Sequence, residues 1–250
     1  MILLKPILFK IYYNCIYHYK NLFIRRKQTI YPKIIDVLCR GESLKFFTKI
    51  KSRNNVDLII LANFEKNDIC DSKILDIIKN IPITIVSNIS EPIPKLSNLK
   101  SIYLDEVFIS RINDSIDNKS LHLKRNNFRL NSITRNVKFI NSKFLSIYNN
   151  INVNSEGNWN TGLFSLFIAC TKNPNEINLY GMDFFETDYF NGGVKYKLSN
   201  IEINERSIEM VKSYKKTFDA ILKFFPNIKF TIYTKSKITS NFKNVKINLA

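Results

Sequence analysis

Histidine and cysteine are too scarce and too scattered in this chain to build the common metal or disulfide sites. The 250 residues include only two histidines, His18 and His122, and neither falls in an HExxH or similar ligand spacing. The four cysteines are spaced widely and form no CxxC pair: Cys15, Cys39, Cys70 and Cys170. We therefore predict no metal site and no disulfide framework, and we expect a reducing, cytoplasmic compartment.

Long charge-free apolar runs are also missing. Lysines interrupt the apolar and aromatic N-terminal residues, so no run reaches the roughly 18 to 20 residues that span a bilayer. No small-residue cleavage site follows a compact apolar core, so a signal peptide is not expected. Apolar side chains recur at helical spacing from Leu8 to Tyr19, which predicts an amphipathic segment over residues 1–30. This segment either lies on an anionic membrane face or packs on the domain formed by residues 31–250, and both alternatives stay open.

Acidic side chains are fewer than basic ones. Lys and Arg total 38 against 21 Asp and Glu, which gives a formal net charge of +17 and favours an anionic partner. No zinc-finger, RRM or KH pattern is recognisable, so nucleic acid is not the expected partner. Hydrophobic residues at 45% and charged residues at 24% are ordinary for a globular protein, and the length suits one large domain.

Apolar runs alternate with helical patterns from residue 31 onward. We predict buried strands at residues 34–38, 56–64, 83–88 and 177–185 and in KFTIYTKS, with helices over residues 72–80, 161–171 and 205–225. SIYLDEVFI fits a strand or a helix, VKFINSKFLSIYNN fits a strand followed by a helix, and VKINL is a candidate last strand. This alternation predicts a single-domain α/β fold, a mostly parallel twisted sheet with helices on both faces. Ligands of such sheets bind outside the carboxyl ends of the strands.

Three segments place small or polar residues where a site of an α/β fold would lie. Two of them follow predicted strands, and the third opens the predicted helix that leads into the strand at 177–185. Gly41 lets the backbone approach a ligand, and Ser43 is a candidate helix cap that offers a donor to an anion. Asn63 can donate and accept at the end of the second strand, although an Asx turn explains it equally well. Thr161 is a candidate N-cap, and Gly162 is costly inside a helix unless something must approach closely.

These segments occur in the order of a known family. CRGESL, LANF, FINSKFL, NTGLFSLFIA and LYGMDFF resemble the ordered motifs of sialyltransferases in glycosyltransferase families 29 and 42. Those motifs are a GNG-x-SL or GNS turn, a strand ending in Asn-Gln, an Asn-Pro segment, S-[ST]-G opening a helix, and a strand reading YGFD or SGID. The resemblance covers residues 34–185, with a weaker tail to residue 234. It implies a Rossmann-like sheet, a variant of the glycosyltransferase type A arrangement.

The resemblance also implies an activity. It is the transfer of sialic acid or a related acidic sugar from a CMP-activated donor to a glycan or lipid-linked acceptor in surface glycan synthesis, without a metal or other cofactor. Such an enzyme would work in the cytoplasm or peripherally on the inner membrane face. Tyr189 would bind the leaving phosphate, with Tyr196 as the alternative, because departure without a metal needs a donor. The donor-binding residues that the resemblance implies are Arg40, Gly41, Ser43, Asn63, Thr161, Gly162, Gly181 and Asp183, and the alternative for Asp183 is a structural role.

The chain departs from the family pattern at the site itself. Arg40 and Cys39 replace an Asn and a Gly, and Arg40 is a candidate partner for the donor phosphate or carboxylate. In the family a His before or at the start of the last long helix is the catalytic base, and this chain has no His in that region. Glu205 is the candidate base, ahead of Glu202 and Glu209, although solvated acids at a helix start are the alternative for all three. The missing His leaves open a degenerate nucleotide-binding protein, a basic anion- or RNA-binding protein, or another nucleotide-dependent enzyme of this fold.

Overall fold

The structure, a computed structural model, describes residues 31–49, 55–64, 68, 72–87, 104–109, 147–151, 157, 159–184, 186–187 and 202–249. For a few of them, including residues 202–207, only the backbone is described. The predicted amphipathic segment, the basic clusters near residues 25–27 and 124–125, and both histidines lie outside the described residues.

Seven strands form one sheet in which every neighbouring pair is parallel. Runs of Ile, Val and Leu form these strands because β-branched side chains fit the pleated surface and both faces are buried. The predicted α/β class is therefore confirmed. The strands are β1 (Ile34–Leu38), β2 (Leu58–Ala62), β3 (Ile83–Ser87), β4 (Leu104–Ile109), β5 (Glu176–Tyr180), β6 (Lys229–Thr234) and β7 (Val245–Leu249).

Helices cover both faces of the sheet, as predicted. They are α1 (Ser72–Ile78), α2 (Thr161–Thr171) and α3 (Glu202–Phe224), and a short 3-10 helix spans Glu42–Phe46. One face carries α2, α3 and the helical residues 147–151, whose apolar side chains form a single cluster with β1, β2, β5 and β6. The 3-10 helix and α1 pack on the opposite face. None of the described helices is both long and apolar enough to cross a membrane.

Helix α2 is enclosed by the fold. All eight residues from Leu163 to Cys170 are buried. A helix that is apolar on all sides needs cover on all sides, and here the sheet lies on one side and α3 with residues 147–151 on another. At its C-terminal end the Lys172 ammonium lies 2.5 Å from the Glu106 carboxylate of β4. The position of α2 over the sheet is thus fixed at several points.

Some boundaries differ from the predicted ones for local reasons. The predicted strand 177–185 ends at Tyr180, because Gly181 has a φ of +72° and turns the chain. The strand predicted at 56–64 is limited to Leu58–Ala62, and Asn63 follows it with a φ of +58°. Helix α3 begins at Glu202 rather than Glu205. The ambiguous segment SIYLDEVFI contains β4, and VKINL forms β7 as predicted.

The strand order places a topological switch point between β1 and β5. The order is β4-β3-β2-β1-β5-β6-β7. Strands β2 to β4 are therefore added on one side of β1, and strands β5 to β7 are added on its other side. Ligands of open parallel sheets bind in the crevice outside the carboxyl ends at such a reversal. Helices α2 and α3 each lead into a parallel strand, so their N-termini lie at this same edge.

Candidate functional site at the carboxyl ends of β1 and β5

The loops that follow β1 and β5 are joined through their backbones. The Cys39 amide donates to the Tyr180 carbonyl at 2.7 Å, and the Gly41 amide donates to the Gly181 carbonyl at 2.8 Å. A Cβ at Gly41 would lie 2.5 Å from the Gly181 carbonyl oxygen, and one at Gly181 would lie 2.2 Å from the Cys39 carbonyl oxygen. Glycine is thus required at position 41 because another backbone lies against it, which is a different reason from the predicted approach of a ligand. The two glycines therefore let the loops after β1 and β5 pack directly against each other.

Asp183 connects the ends of three strands. Its Oδ1 accepts from the Ser43 hydroxyl at 2.6 Å, the Thr234 hydroxyl at 3.0 Å and the Lys235 amide at 2.9 Å. Its Oδ2 accepts from the Ser43 amide and the Thr187 hydroxyl, both at 2.9 Å. Ionised carboxylates accept such bonds strongly, and the side chain is buried. Asp183 therefore holds the loops after β1, β5 and β6 in one arrangement, which is the structural role given above as its alternative.

Ser43 does not cap a helix, so that prediction is wrong. The 3-10 helix follows Gly41, and no side chain caps it. Ser43 lies inside this helix and is fully buried. Its hydroxyl donates to Asp183 and accepts from the Gly181 amide at 3.1 Å. The hydroxyl is thus engaged within the protein at the junction of the loops after β1 and β5.

The N-terminus of α2 faces the crevice, and Asn160 rather than Thr161 caps it. The Asn160 Oδ1 accepts from the Leu163 amide at 2.8 Å, and Thr161 is the first helical residue. A Cβ at Gly162 would lie 3.1 Å from the Met182 Cε and 3.2 Å from the Cys39 Sγ. The first turn of α2 is therefore in contact with the residues that follow both β1 and β5. Peptide N–H groups at a helix N-terminus favour an anion.

The cap leads to a first prediction. Asn160→Ala should lower the free energy of unfolding by about 1 kcal/mol, because the Leu163 amide loses its acceptor. Asn160→Asp, which keeps the acceptor, is the matched control and should unfold like the wild type in a urea titration. Equal losses in both variants would show that the cap bond is not what stabilises this turn.

Arg40 is paired within the protein. Its Nε lies 3.0 Å from the Asp68 Oδ2, an ion pair rather than an aligned hydrogen bond. The Asp68 side chain is fully buried and that of Arg40 is 10% exposed. A buried carboxylate is stable only beside a compensating charge, so the Arg40 charge is balanced before any ligand binds. The contact with a donor phosphate or carboxylate stays a prediction.

Asn63 lies at the carboxyl end of β2, next to β1. Its φ of +58° is left-handed, a conformation that Asn tolerates better than most residues. Its amide donates to the Val86 carbonyl at 2.7 Å. The turn explains the choice of Asn at this position, and contact with a donor stays a prediction.

The two predicted catalytic residues are not described at the level of side chains. Tyr189 and Tyr196 lie outside the described residues. Glu205 falls in the first turns of α3, with only its backbone described, and Glu209 is exposed. The 23 residues of α3 extend about 35 Å, against about 20 Å for the six of β6. The first turns of α3 therefore extend beyond the carboxyl edge of the sheet, on the face that carries α2.

Glu186 fastens the loop after β5 to α3 and to the end of β6. Its carboxylate lies 2.8 Å from the Lys215 ammonium and accepts from the Ser236 hydroxyl. Burial opposes ionisation of Glu186, but the hydrogen bonds from Lys215 and Ser236 outweigh it and hold its pKa below the ordinary value. The Lys215 ammonium also lies 5.7 Å from the centre of the Phe184 ring.

This lowered pKa leads to a prediction with a definite sign. A carboxylate whose pKa is depressed by folding stabilises the protein above its unfolded-state pKa, and that contribution is lost as pH falls through the folded-state pKa. Glu186→Gln should therefore destabilise the protein at neutral pH by no more than about 1 kcal/mol, since the pair is partly exposed. The difference should disappear in acid. Urea titrations of both proteins across this pH range would check it, and a difference independent of pH would contradict it.

Cys39 and Cys170 are buried thiols without disulfide partners. Desolvation by burial, followed by the charge of Asp183, raises the pKa of Cys39, and burial also raises that of Cys170. The thiolate form, which is the nucleophile, is therefore disfavoured at both positions. Within the described part of the chain, no group of three or more His, Cys, Asp or Glu side chains is placed to hold a metal ion.

Sequence reasoning missed several residues of this site. Asp68, Thr187 and Thr234 carry no local pattern, because their roles come from contacts with residues distant in the chain. Asn160 did carry one, since Asn immediately before an apolar helical run is a favoured N-cap. The predicted residues Arg40, Gly41, Ser43, Thr161, Gly162, Gly181 and Asp183 do lie together at the ends of β1 and β5.

Comparison with known proteins identifies similar structures but no relatives in sequence. No protein-family model matches the chain, and no curated protein matches its sequence. One similar structure is the sialyltransferase CstII from Campylobacter jejuni in complex with cytidine-5'-monophosphate. It is 15% identical, with 87% of this chain and 85% of that chain covered at a TM-score of 0.50.

A second similar structure is CstII in complex with a trisaccharide acceptor and CMP. It is 14% identical, with a TM-score of 0.54 over 87% of this chain and 86% of that chain. At identities this low, the structural similarity establishes the fold alone. The resemblance noted in the sequence motifs is therefore confirmed at the level of architecture. This chain has an open, parallel, Rossmann-like α/β fold like that of the CstII sialyltransferases.

Proposed function

We propose that this protein is a sialyltransferase-like glycosyltransferase that takes sialic acid or a related acidic sugar from a CMP-activated donor. The observation that carries the proposal is the meeting of the α2 N-terminus with the ends of β1 and β5 at the switch point of the sheet. The structures of similar fold include complexes with CMP. A switch-point crevice with a helix N-terminus is suited to a nucleotide phosphate.

The predicted donor-site residues divide into two groups under this proposal. Ser43 and Asp183 are positioning residues, since their side chains are buried and hydrogen bonded to one another. Thr161 and Gly162 would contact the donor phosphate through the first-turn peptide groups of α2. Asn63, at the end of β2, would contact the nucleoside.

Arg40 has a different part in this proposal. Because its guanidinium pairs with the buried Asp68 carboxylate, Arg40 would first of all fix the loop after β1. A guanidinium charge also suits an anionic group of the donor, and Arg40 is proposed to lie close to that group. Arg40 would thereby orient the donor without adding net charge to the site.

The chemical step would need a base and a stabilised leaving group. Glu205 is the proposed base for the acceptor hydroxyl, because it belongs to the turns of α3 that extend beyond the carboxyl edge of the sheet. Tyr189 is proposed to donate a hydrogen bond to the departing phosphate in the absence of a metal. The acceptor would be a glycan or a lipid-linked glycan.

The cellular setting is part of the same proposal. Surface glycan synthesis from a CMP-sugar would place the protein in the cytoplasm. The net charge of +17 would favour peripheral contact with an anionic inner membrane face. Co-sedimentation with anionic and neutral vesicles, with and without residues 1–30, would test this contact.

Calorimetric titration with CMP, CDP, UDP and GDP in the presence of a chelator tests the proposal. CMP should bind, and UDP and GDP should bind at least tenfold more weakly, a difference of about 1.4 kcal/mol. If CMP shows no preference over UDP and GDP, the proposal is wrong.

The absence of any histidine after His122 favours a second candidate, a catalytically degenerate nucleotide-binding protein. Hydrolysis of CMP-sialic acid separates the two candidates once CMP is known to bind. Slow hydrolysis that Glu205→Gln abolishes supports the transferase. CMP binding without detectable hydrolysis or transfer supports the degenerate protein, and salt-dependent binding of RNA would favour a basic nucleic-acid-binding protein.

A further inference from the structure

Two partly exposed aromatic side chains, Tyr148 and Trp159, lie beside the N-terminus of α2, and the proposed donor site uses neither. Their ring centroids are 4.7 Å apart, with the ring planes inclined at 47°. Trp159 is the only tryptophan in the chain and directly precedes the cap residue Asn160. Both rings pack on the core of the α2 face while remaining partly accessible to solvent.

The Trp159 ring packs against two buried phenylalanines of α2. The Phe167 and Phe164 centroids lie 5.6 Å and 6.4 Å from it, both nearly perpendicular to the indole plane. Edge-to-face contacts of this kind fix the orientation of a ring. A ring that is already immobilised loses little conformational entropy when a ligand settles on it.

The chemistry of this aromatic pair suits an uncharged sugar. The C–H faces of a pyranose ring pack on aromatic faces, while the phenol O–H of Tyr148 can bond to a sugar hydroxyl. A tyrosine phenol carries its proton at neutral pH, and burial raises the pKa of Tyr148 further. Neither ring carries a charge, in a protein whose net charge of +17 otherwise favours anions.

The position of the pair matches an acceptor adjacent to the donor. Trp159 precedes Thr161 by two residues, so their Cα atoms are at most about 7 Å apart. The Trp159 ring contacts Phe164 and Phe167, so a sugar on it would lie beside the first two turns of α2. Gly157 lies against the α3 backbone, where an added Cβ would be 2.5 Å from the Ser213 carbonyl oxygen. The loop bearing Trp159 is thereby held between α2 and α3.

We propose that Tyr148 and Trp159 form a platform on which the neutral sugar ring of the acceptor stacks. The assignment of that sugar as the acceptor rests on the proposed function, whereas binding of a neutral sugar to the platform does not. Trp159 would supply the stacking surface, and Tyr148 would brace it and bond to a hydroxyl.

Tryptophan fluorescence of the full-length protein, excited selectively at the indole, tests this proposal directly, because Trp159 is the only tryptophan in the chain. Lactose and maltose are the probes, titrated with and without CMP, and glycerol is the control for non-specific hydroxyl effects. We expect a saturable change of the emission with at least one disaccharide and none with glycerol. No change with either disaccharide, with CMP present or absent, would overturn the proposal.

Variants separate the platform from the fold and from the donor site. By calorimetry, Trp159→Leu should weaken disaccharide binding about tenfold and leave CMP binding unchanged. Trp159→Phe, which keeps a ring in the cluster, should weaken it less. Phe224→Leu changes an exposed aromatic residue at the far end of α3 and should have no effect. An equal loss of CMP and sugar binding in Trp159→Leu, with thermal stability unchanged, would overturn the platform.

Failure of this proposal is distinguishable from failure of the proposed function. If the protein binds a sugar saturably but does not bind CMP, the platform is supported and the proposed transferase function is contradicted. CMP binding without any response of Trp159 to sugar would support the donor site and contradict the platform.

Discussion

Asp183→Asn is expected to lower the free energy of unfolding by about 3 to 5 kcal/mol. The carboxylate accepts from two backbone amides and three hydroxyl groups. In the asparagine one of the two oxygens becomes an NH2 group, which cannot accept the hydrogen bonds donated at that position. The loops after β1, β5 and β6 would then separate. Urea unfolding followed by circular dichroism measures the loss, and CMP affinity should fall under conditions where the variant is still folded.

The matched control for this variant is Asp76→Asn. The Asp76 side chain is 72% exposed and pairs with Lys79, which directly follows α1. Its neutralisation should therefore change stability by no more than about 0.5 kcal/mol. Wild-type stability of Asp183→Asn would show that the carboxylate is not what joins the three loops.

Gly41→Ala is expected to destabilise the protein by about 2 to 3 kcal/mol and to abolish CMP binding. The new methyl group would lie 2.5 Å from the Gly181 carbonyl oxygen and 2.6 Å from the Asp183 Oδ2. Neither neighbour can move without breaking the hydrogen bonds that join the loops after β1 and β5. Thermal unfolding and CMP calorimetry measure the two effects separately.

Gly162→Ala is the matched control at the same site. A Cβ there meets three side-chain atoms at 3.1 to 3.3 Å, which are the Met182 Cε, the Cys39 Sγ and the Asn160 Oδ1. A shift of a few tenths of an ångström relieves these contacts, and alanine favours the helix. Stability should therefore change little. A selective loss of CMP affinity in Gly162→Ala would support the prediction that the glycine makes room for a ligand. If both alanine variants were equally stable, the backbone contact at Gly41 would not be the reason for its glycine.

The elements that were predicted best from the sequence are those that a local pattern of residues determines. The bounds of β1 and α2 were predicted correctly, because a short Ile- and Val-rich run and a small-residue apolar helix each have a strong local pattern. The open parallel sheet followed from the alternation of such elements. The strand predicted through residue 185 was wrong because the turn at Gly181 depends on its contact with the Cys39 carbonyl.

The roles of the site residues were harder to predict, because they depend on partners far away in the chain. Ser43 bonds to Asp183 across 140 residues, and no local pattern distinguishes that contact from a helix cap. Gly41 marks a close approach, but a sequence does not tell whether backbone or ligand occupies the space. Arg40 suggested an anionic ligand because its partner Asp68 belongs to a segment without any motif.

Amide hydrogen exchange with and without CMP measures most directly whether the switch-point crevice is the donor site. The result we predict is slower exchange, on addition of CMP, in the peptide segments covering residues 39–43 and 160–164, with β7 unchanged. These segments contain the loop after β1 and the first turn of α2, which meet around Gly162. CMP binding that leaves both segments unchanged, or that protects only residues elsewhere, would contradict the assignment of the donor site.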